Sequence, residues 1–230
     1  MVMRFDQDLY NRFLVNNSVI GFYDEPVLLR SGGLTFWYAN FRALLADYQA
    51  VQKAAEFVDD FIADHMLDPT NFFAVPEGPR EFASSLNRLL DARGRKVSAT
   101  SLRSGYKTHG SAMDRYSVGP LDSYMRPVLI EDVSTTGNAS TEYLILLQTL
   151  GIQPLAVVSM LNRQERRRQP DGRTVEEFLQ ENYRARYLAM ADASSVLPVA
   201  VEILKPSPTI LGGLREEFAD RERYSVEINL

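Results

Sequence analysis

An α/β fold, with a central and mostly parallel sheet flanked by helices, is predicted by three features of this chain. Short apolar runs recur at residues 72–75, 128–130 and 155–160, without the alternation of a strand that has one wet face. Helical periodicity occupies the intervals between them. Turn-forming or acidic residues close the runs, so strand and helix alternate as βαβ units require.

Taken in order, residues 1–20 predict a short helix, with Phe5, Leu9, Phe13 and Leu14 near helical spacing. Residues 26–41 surround a Ser31-Gly32-Gly33 turn with Leu, Thr, Phe, Trp and Tyr, which predicts a hairpin or bent strand pair. An amphipathic helix is expected over 43–63, where Leu44, Leu45, Tyr48, Val51, Ala55, Val58 and Phe61/Ile62 share a stripe. The run 72–75 reads as a strand, 82–90 as a helix, 97–102 as a strand, and the polar stretch 103–123 as a loop. Strand 128–130, helix 141–150, strand 155–160, helix 175–182 and a late strand at 196–203 complete the reading.

A length of 230 residues, 45% hydrophobic and 24% charged, suits a single domain that buries a core without staples. We divide it into a hood segment 1–42, a core 43–165 and an extension 166–230. There is no cysteine, which excludes disulfides and thiolate zinc sites and fits a reducing compartment. The formal net charge of -5 disfavours a general nucleic-acid binder. No apolar run approaches the ~18 residues of a membrane span. The first residues lack the basic-then-apolar order of a signal peptide, so a cytoplasmic location is expected.

The segment most informative about chemistry is Val128-Leu129-Ile130-Glu131-Asp132-Val133-Ser134-Thr135-Thr136-Gly137-Asn138-Ala139-Ser140. An apolar strand runs into two acids, then a hydroxyl-rich turn, then a helix. The carboxyl end of a parallel strand is where α/β proteins bind ligands. Two carboxylates there can accept from vicinal hydroxyls such as those of a ribose. The following turn offers backbone N–H groups at a helix N-terminus, which suits a phosphate. Without a ligand the same residues would be a strand, an acidic turn and a capped helix.

Four further segments carry polar chemistry. Arg103-Ser104-Gly105-Tyr106-Lys107-Thr108-His109-Gly110 gathers cations and a His in an irregular stretch, able to clamp a leaving pyrophosphate or to stand as a plain basic loop. Leu29-Arg30-Ser31-Gly32-Gly33-Leu34-Thr35-Phe36-Trp37-Tyr38-Ala39-Asn40-Phe41-Arg42 sets an aromatic run beside a glycine turn. Val75-Pro76-Glu77-Gly78-Pro79 ends a strand in a turn whose amides can receive an anion. Asn162-Arg163-Gln164-Glu165 places an Arg, able to grip a carboxylate, at another strand end, beside a basic turn Arg166-Arg167-Arg168. His65 falls at a helix end, where a capping or surface role is expected.

Together, in this order, these segments resemble the type I phosphoribosyltransferases, and among them the orotate enzymes, over roughly residues 26–165. The resemblance implies a type I phosphoribosyltransferase-like α/β fold with a small hood of N- and C-terminal segments. It implies that Glu131 and Asp132 hold ribose hydroxyls and that Ser134, Thr135, Thr136, Gly137, Asn138, Ala139 and Ser140 hold the 5-phosphate of phosphoribosyl pyrophosphate. Pro76, Glu77 and Gly78 would meet the pyrophosphate, and Arg103, Lys107 and His109, with Asp132, would be catalytic. Arg30, Trp37, Tyr38, Thr135 and Arg163 would face the base, orotate. The Lys107-x-His109-Gly110 loop implies a homodimer in which loop 103–118 reaches the neighbouring subunit's site. Three departures stand out: Ser104 where the family often has Lys, Arg30 where Lys is usual, and Pro79-Arg80 in the pyrophosphate loop. No metal-ligand cluster appears in the sequence; Mg2+ is expected to arrive on pyrophosphate and ribose oxygens, with no direct protein ligand. A purine acceptor, or a non-catalytic regulator on the same fold, is the alternative.

Overall fold

The computed structural model describes residues 5–29, 32–105, 107–109, 115–168 and 171–228. Helix α1 (Gln7–Asn16) starts behind Asp6, whose carboxylate accepts from the Leu9 amide at 2.9 Å. Strands β1 (Ile20–Leu28) and β2 (Leu34–Ala39) form an antiparallel hairpin, with a register slip between Phe22 and Val27. A 3-10 turn over Phe41–Ala46 precedes α2 (Tyr48–Asp64). The helix expected from residue 43 begins only here, because Asp47 turns extended and caps the Gln49 amide at 2.9 Å. Leu45 and Tyr48 are consequently exposed rather than part of the apolar stripe.

Strand β3 (Phe72–Ala74) leads to α3 (Arg80–Ala92). Only Ser101–Leu102 (β4) of the expected strand 97–102 forms, and it pairs antiparallel with Ser117–Val118 (β5). The stretch read as loop 103–123 is thus an excursion closed at its base by a two-residue ladder. Strand β6 (Val128–Ser134) is longer than the apolar run 128–130, and α4 (Asn138–Thr149), β7 (Ala156–Asn162), α5 (Val175–Tyr183) and a short β8 (Tyr187–Ala189) follow. The last two elements are helices, α6 (Ala193–Leu204) and α7 (Pro208–Ala219).

Helix α6 corrects the late strand expected at 196–203. The β-branched run looked like a buried strand, but Asp192 and Ser195 form a reciprocal capping box, and Ala193, Val196, Leu197 and Ala200 are buried at helical spacing. Pro198 lies inside this helix. Packing on α1 outweighs its local cost, with Asn11 Nδ2 donating to the Ser195 carbonyl at 3.0 Å.

Among the described residues the central sheet pairs β3, β6, β7 and β8 in that order, all parallel. Strand alternation divides the core. Phe72, Ala74, Val128, Ile130, Val158 and Met160 face α1, α2, α3 and α6, whereas Phe73, Leu129 and Val157 face α4 and α5. Strand β4 packs beside β3, on the side away from β6. The chain therefore steps outward from β3 and returns on its other flank as β6, and the crevice between these two is a topological switch point.

Candidate functional site

Three loops meet at the carboxyl edge of the sheet, where Ala74, Ile130 and Val158 lie in register. After β3 comes Val75-Pro76-Glu77-Gly78, tied to the sheet by the Val75 amide on the Ile130 carbonyl at 2.8 Å. After β6 comes the turn to α4, and after β7 the segment from Asn162.

Glu131 and Asp132 are neighbours in β6 and so project to opposite faces. Asp132 turns toward the β3 loop. A Cβ added to Gly78 would fall 2.0 Å from Asp132 Oδ2, so only glycine admits the carboxylate there. Asp132 Oδ1 accepts from the Val133 amide at 2.9 Å. Burial raises the Asp132 pKa, and its hydrogen bonds and the nearby positive charge of Arg42 oppose that rise. Glu131 turns the other way, under α4, where Ser140 Oγ donates to its Oε2 at 2.7 Å. Burial pushes its pKa up to about 8, so it is protonated at neutral pH. Of the two acids expected to hold ribose hydroxyls, Asp132 is the one lodged against the β3 loop, and Glu131 is buried on Ser140.

The phosphate loop is also narrower than expected. Ser134 still belongs to β6; its hydroxyl is fully buried, donates to Ser159 Oγ at 2.8 Å and touches the Tyr187 hydroxyl. Ser140 Oγ is spent on Glu131. What remains is Thr135, Thr136, Gly137, Asn138 and Ala139. Gly137 is the α4 N-cap in the left-handed region (φ 73°), and no side chain caps the first turn. A Cβ there would also meet Val175 Cγ2 at 2.5 Å. The first amides of α4 are thus presented to an anion rather than to a capping side chain. The run 166–168 is no mere solvated basic turn. Arg167 donates to the Thr136 carbonyl at 2.6 Å and to Asn138 Oδ1 at 2.9 Å, with its guanidinium 3.5 Å from the Phe178 ring centroid.

Loop residues divide similarly. Arg103 Nε donates to the Ser117 carbonyl at 3.1 Å, and its own carbonyl accepts from Tyr143 hydroxyl at 2.9 Å, so this Arg braces the base of the excursion. Ser104 Oγ donates to Glu77 Oε1 at 2.7 Å, joining the excursion to the β3 loop. Lys107 is half-buried and its amide donates to the Arg115 carbonyl at 3.2 Å; His109 is exposed. Tyr106, Gly110 and residues 111–114 lie outside the described residues, as do Arg30 and Ser31 on the base side.

Two residues expected at the base are instead engaged with each other. Trp37 is fully buried, and the Arg163 guanidinium lies 3.9 Å from its ring centroid. Arg163 Nε donates to Glu165 Oε1 at 2.9 Å and Nη2 to Thr35 Oγ1 at 3.0 Å. Glu217 of α7 accepts from the Phe36 amide at 3.1 Å and from the hydroxyls of Thr35 and Tyr224. Tyr38, on the other face of β2, is exposed. A cleft of about 250 Å³ opens above this network, between the Gly32-Gly33 turn, Thr136, Arg166, Arg168 and Arg223. His65 caps and packs, its Nδ1 2.8 Å from the Phe61 carbonyl. Among the described residues no group of three or more metal-ligating side chains converges, and no helix is long and apolar enough to cross a membrane.

An orotate phosphoribosyltransferase of Francisella tularensis superposes with a TM-score of 0.71 at 16% identity, covering 94% of this chain and 100% of the other. The chain has the fold of the type I phosphoribosyltransferases. The UMP synthase of Leishmania donovani shares that phosphoribosyltransferase fold, with a TM-score of 0.72 at 16% identity over 93% of this chain and 42% of the synthase. In sequence, the chain is 28% identical to an orotate phosphoribosyltransferase of Streptomyces coelicolor over 137 residues, 60% of this chain and 73% of that one. No family model matches. Within the phosphoribosyltransferase fold, the residues that the sequence motifs did not single out are Arg167 and Arg223. Arg167 sat unmarked in a basic run, and Arg223 comes from a tail whose approach to the hairpin no local pattern announces.

Proposed function

We propose that the chain is an orotate phosphoribosyltransferase, forming orotidine 5-phosphate and pyrophosphate for pyrimidine synthesis in the cytoplasm. The observation that carries this reading is the pairing, at one switch point, of Asp132 lodged against Gly78 with a glycine-capped α4 N-terminus. Asp132 accepts from ribose hydroxyls, and the amides from 137 onward, with Thr135 and Thr136, receive the 5-phosphate. The pyrophosphate lies along Pro76-Glu77-Gly78 and under the 103–118 excursion, where Lys107 and His109 neutralise it as it leaves. The bond from ribose C1 to the pyrophosphate oxygen breaks with its electron pair, N1 of orotate supplies the new pair, and the N1 proton passes to water. Positioning and electrostatics account for the rate, without a covalent protein intermediate.

Mg2+, which keeps most of its ligands as water and phosphate oxygen, would be carried by the pyrophosphate and ribose oxygens beside Asp132, without a direct protein ligand. When bound it would lower the charge of the leaving pyrophosphate. The assembly proposed is a homodimer with the 103–118 excursion shared between sites. The sequence similarity to orotate enzymes and the cleft beside Thr136, which three arginines and three acids line, support this reading.

Loss of the orotate absorbance band with phosphoribosyl pyrophosphate and Mg2+ is the expected result, and Asp132→Asn is expected to slow it by at least about 100-fold. An Asn variant as fast as the unaltered protein would sink the role given to Asp132. Failure of the unaltered protein to consume orotate would sink the reading.

A further inference from the structure

With Arg163 held beneath Trp37, the base-side cleft needs another group to recognise an acceptor. One wall is Thr136 of the phosphate loop, so the cleft opens beside the sugar site; the Gly32-Gly33 turn forms another. Arg223 also lines it. Its Nη1 donates to the Leu34 carbonyl at 2.6 Å, and its guanidinium packs so closely on Gly33 that a Cβ there would fall 2.5 Å from Cζ. The head group is thereby held in one place.

Its other nitrogen is buried and has no hydrogen-bond partner. Glu165 Oε1 and Glu217 Oε1 each lie 3.6 Å away, near enough to balance charge but beyond a good hydrogen bond. Both oxygens already have donors, Arg163 Nε on Glu165 and the Tyr224 hydroxyl on Glu217. A buried cationic N–H left without an acceptor is costly in a closed protein, and a ligand oxygen arriving in the cleft would satisfy it. A carboxylate suits such a donor best. Of the acids on the rim, Asp220 Oδ1 accepts from the amides of Glu222 and Arg223, each at 3.1 Å, and Glu222 lines the cleft without a hydrogen bond to Arg223 Nη2.

We propose that Arg223, brought by the C-terminal segment, is the specificity-determining residue that selects an acceptor base carrying a carboxylate. This rests on the phosphoribosyltransferase reading and names the residue that chooses the base.

The test is calorimetric binding of orotate and of uracil, which lacks the carboxylate, to the phosphoribosyl pyrophosphate-free protein and to Arg223→Gln and Arg223→Lys. Orotate should bind the unaltered protein more tightly than uracil. The Gln variant should lose about 10- to 100-fold in orotate affinity, with uracil affinity unchanged. If the Gln variant melts at a lower temperature, Arg223→Lys carries the comparison. A lysine keeps the charge but cannot serve the Leu34 carbonyl and a carboxylate together, so a smaller, orotate-only weakening is expected. Equal orotate affinity in folded variants, uracil bound as well as orotate, or no binding of either base overturns the proposal. Turnover is scored separately: a protein that binds orotate through Arg223 without converting it would overturn the enzymatic reading and leave this one standing.

Discussion

At the scale of single residues, the fate of Glu131 shows how one peptide bond separates two chemically similar groups. Asp132 meets a glycine and partial solvent; Glu131 meets Ser140 and the underside of α4. With a pKa near 8 in the folded chain and an ordinary value near 4.5 when unfolded, Glu131 holds a proton that the unfolded chain has lost between those pH values. Raising pH through that window therefore favours unfolding, and the stabilising proton is gone above about 8. Glu131→Gln keeps the acceptor for Ser140 and removes the titration. Urea midpoints measured from about pH 5 to about pH 8 should fall for the unaltered protein and stay flatter for the variant; parallel curves would mean that Glu131 is already charged. The acid pair was legible in the sequence as a site marker. Its division into one half-buried and one withdrawn carboxylate was not, because that depends on how far β6 continues past its apolar run.

Elements were most readable where the core alone dictates them. The runs at 72–75, 128–130 and 155–160 read as strands because both faces of the sheet are covered, which buries apolar side chains on either side. Where an element is chosen by its partner, composition misled. The segment 196–203 has the residues of a strand and the burial spacing of a helix, and docking on α1 decides between them. Its start was nonetheless encoded in the Asp192-x-x-Ser195 box, with Asp192 Oδ1 accepting from the Ser195 amide at 2.8 Å and from Ser194 Oγ at 2.7 Å. Asp192→Ala should lower the unfolding free energy by about 1 kcal/mol, read as a lower urea midpoint at unchanged slope. No change would show that packing alone starts α6. The Ser104 departure also acquires a physical sense at this scale: a short hydroxyl pins the excursion to Glu77, where a lysine would have brought a charge.

For the whole molecule, the apolar runs sufficed to predict the parallel sheet, and three of the five motifs, at 75–79, 128–140 and 162–165, sit at the ends of its strands. The base side resisted, since it is assembled from residues as distant as Thr35 and Glu217. The proposed sharing of the 103–118 excursion between subunits has a direct consequence for mixtures. Lys107→Ala and Asp132→Asn homodimers should each be nearly inactive. Exchanged subunits would create one intact site per mixed dimer, restoring about a quarter of the unaltered activity. A mixture that stays inactive after proven exchange would place Lys107 at its own subunit's site.

The C-terminal segment gives the molecule a temporal order as well as a spatial one. By residue 192 the ribosome has supplied the sheet, the phosphate loop and the crevice of Asp132. The wall bearing Glu217 and Arg223 emerges after them. The sugar side of the proposed site is thus complete along the chain before the wall proposed to choose what is attached to it.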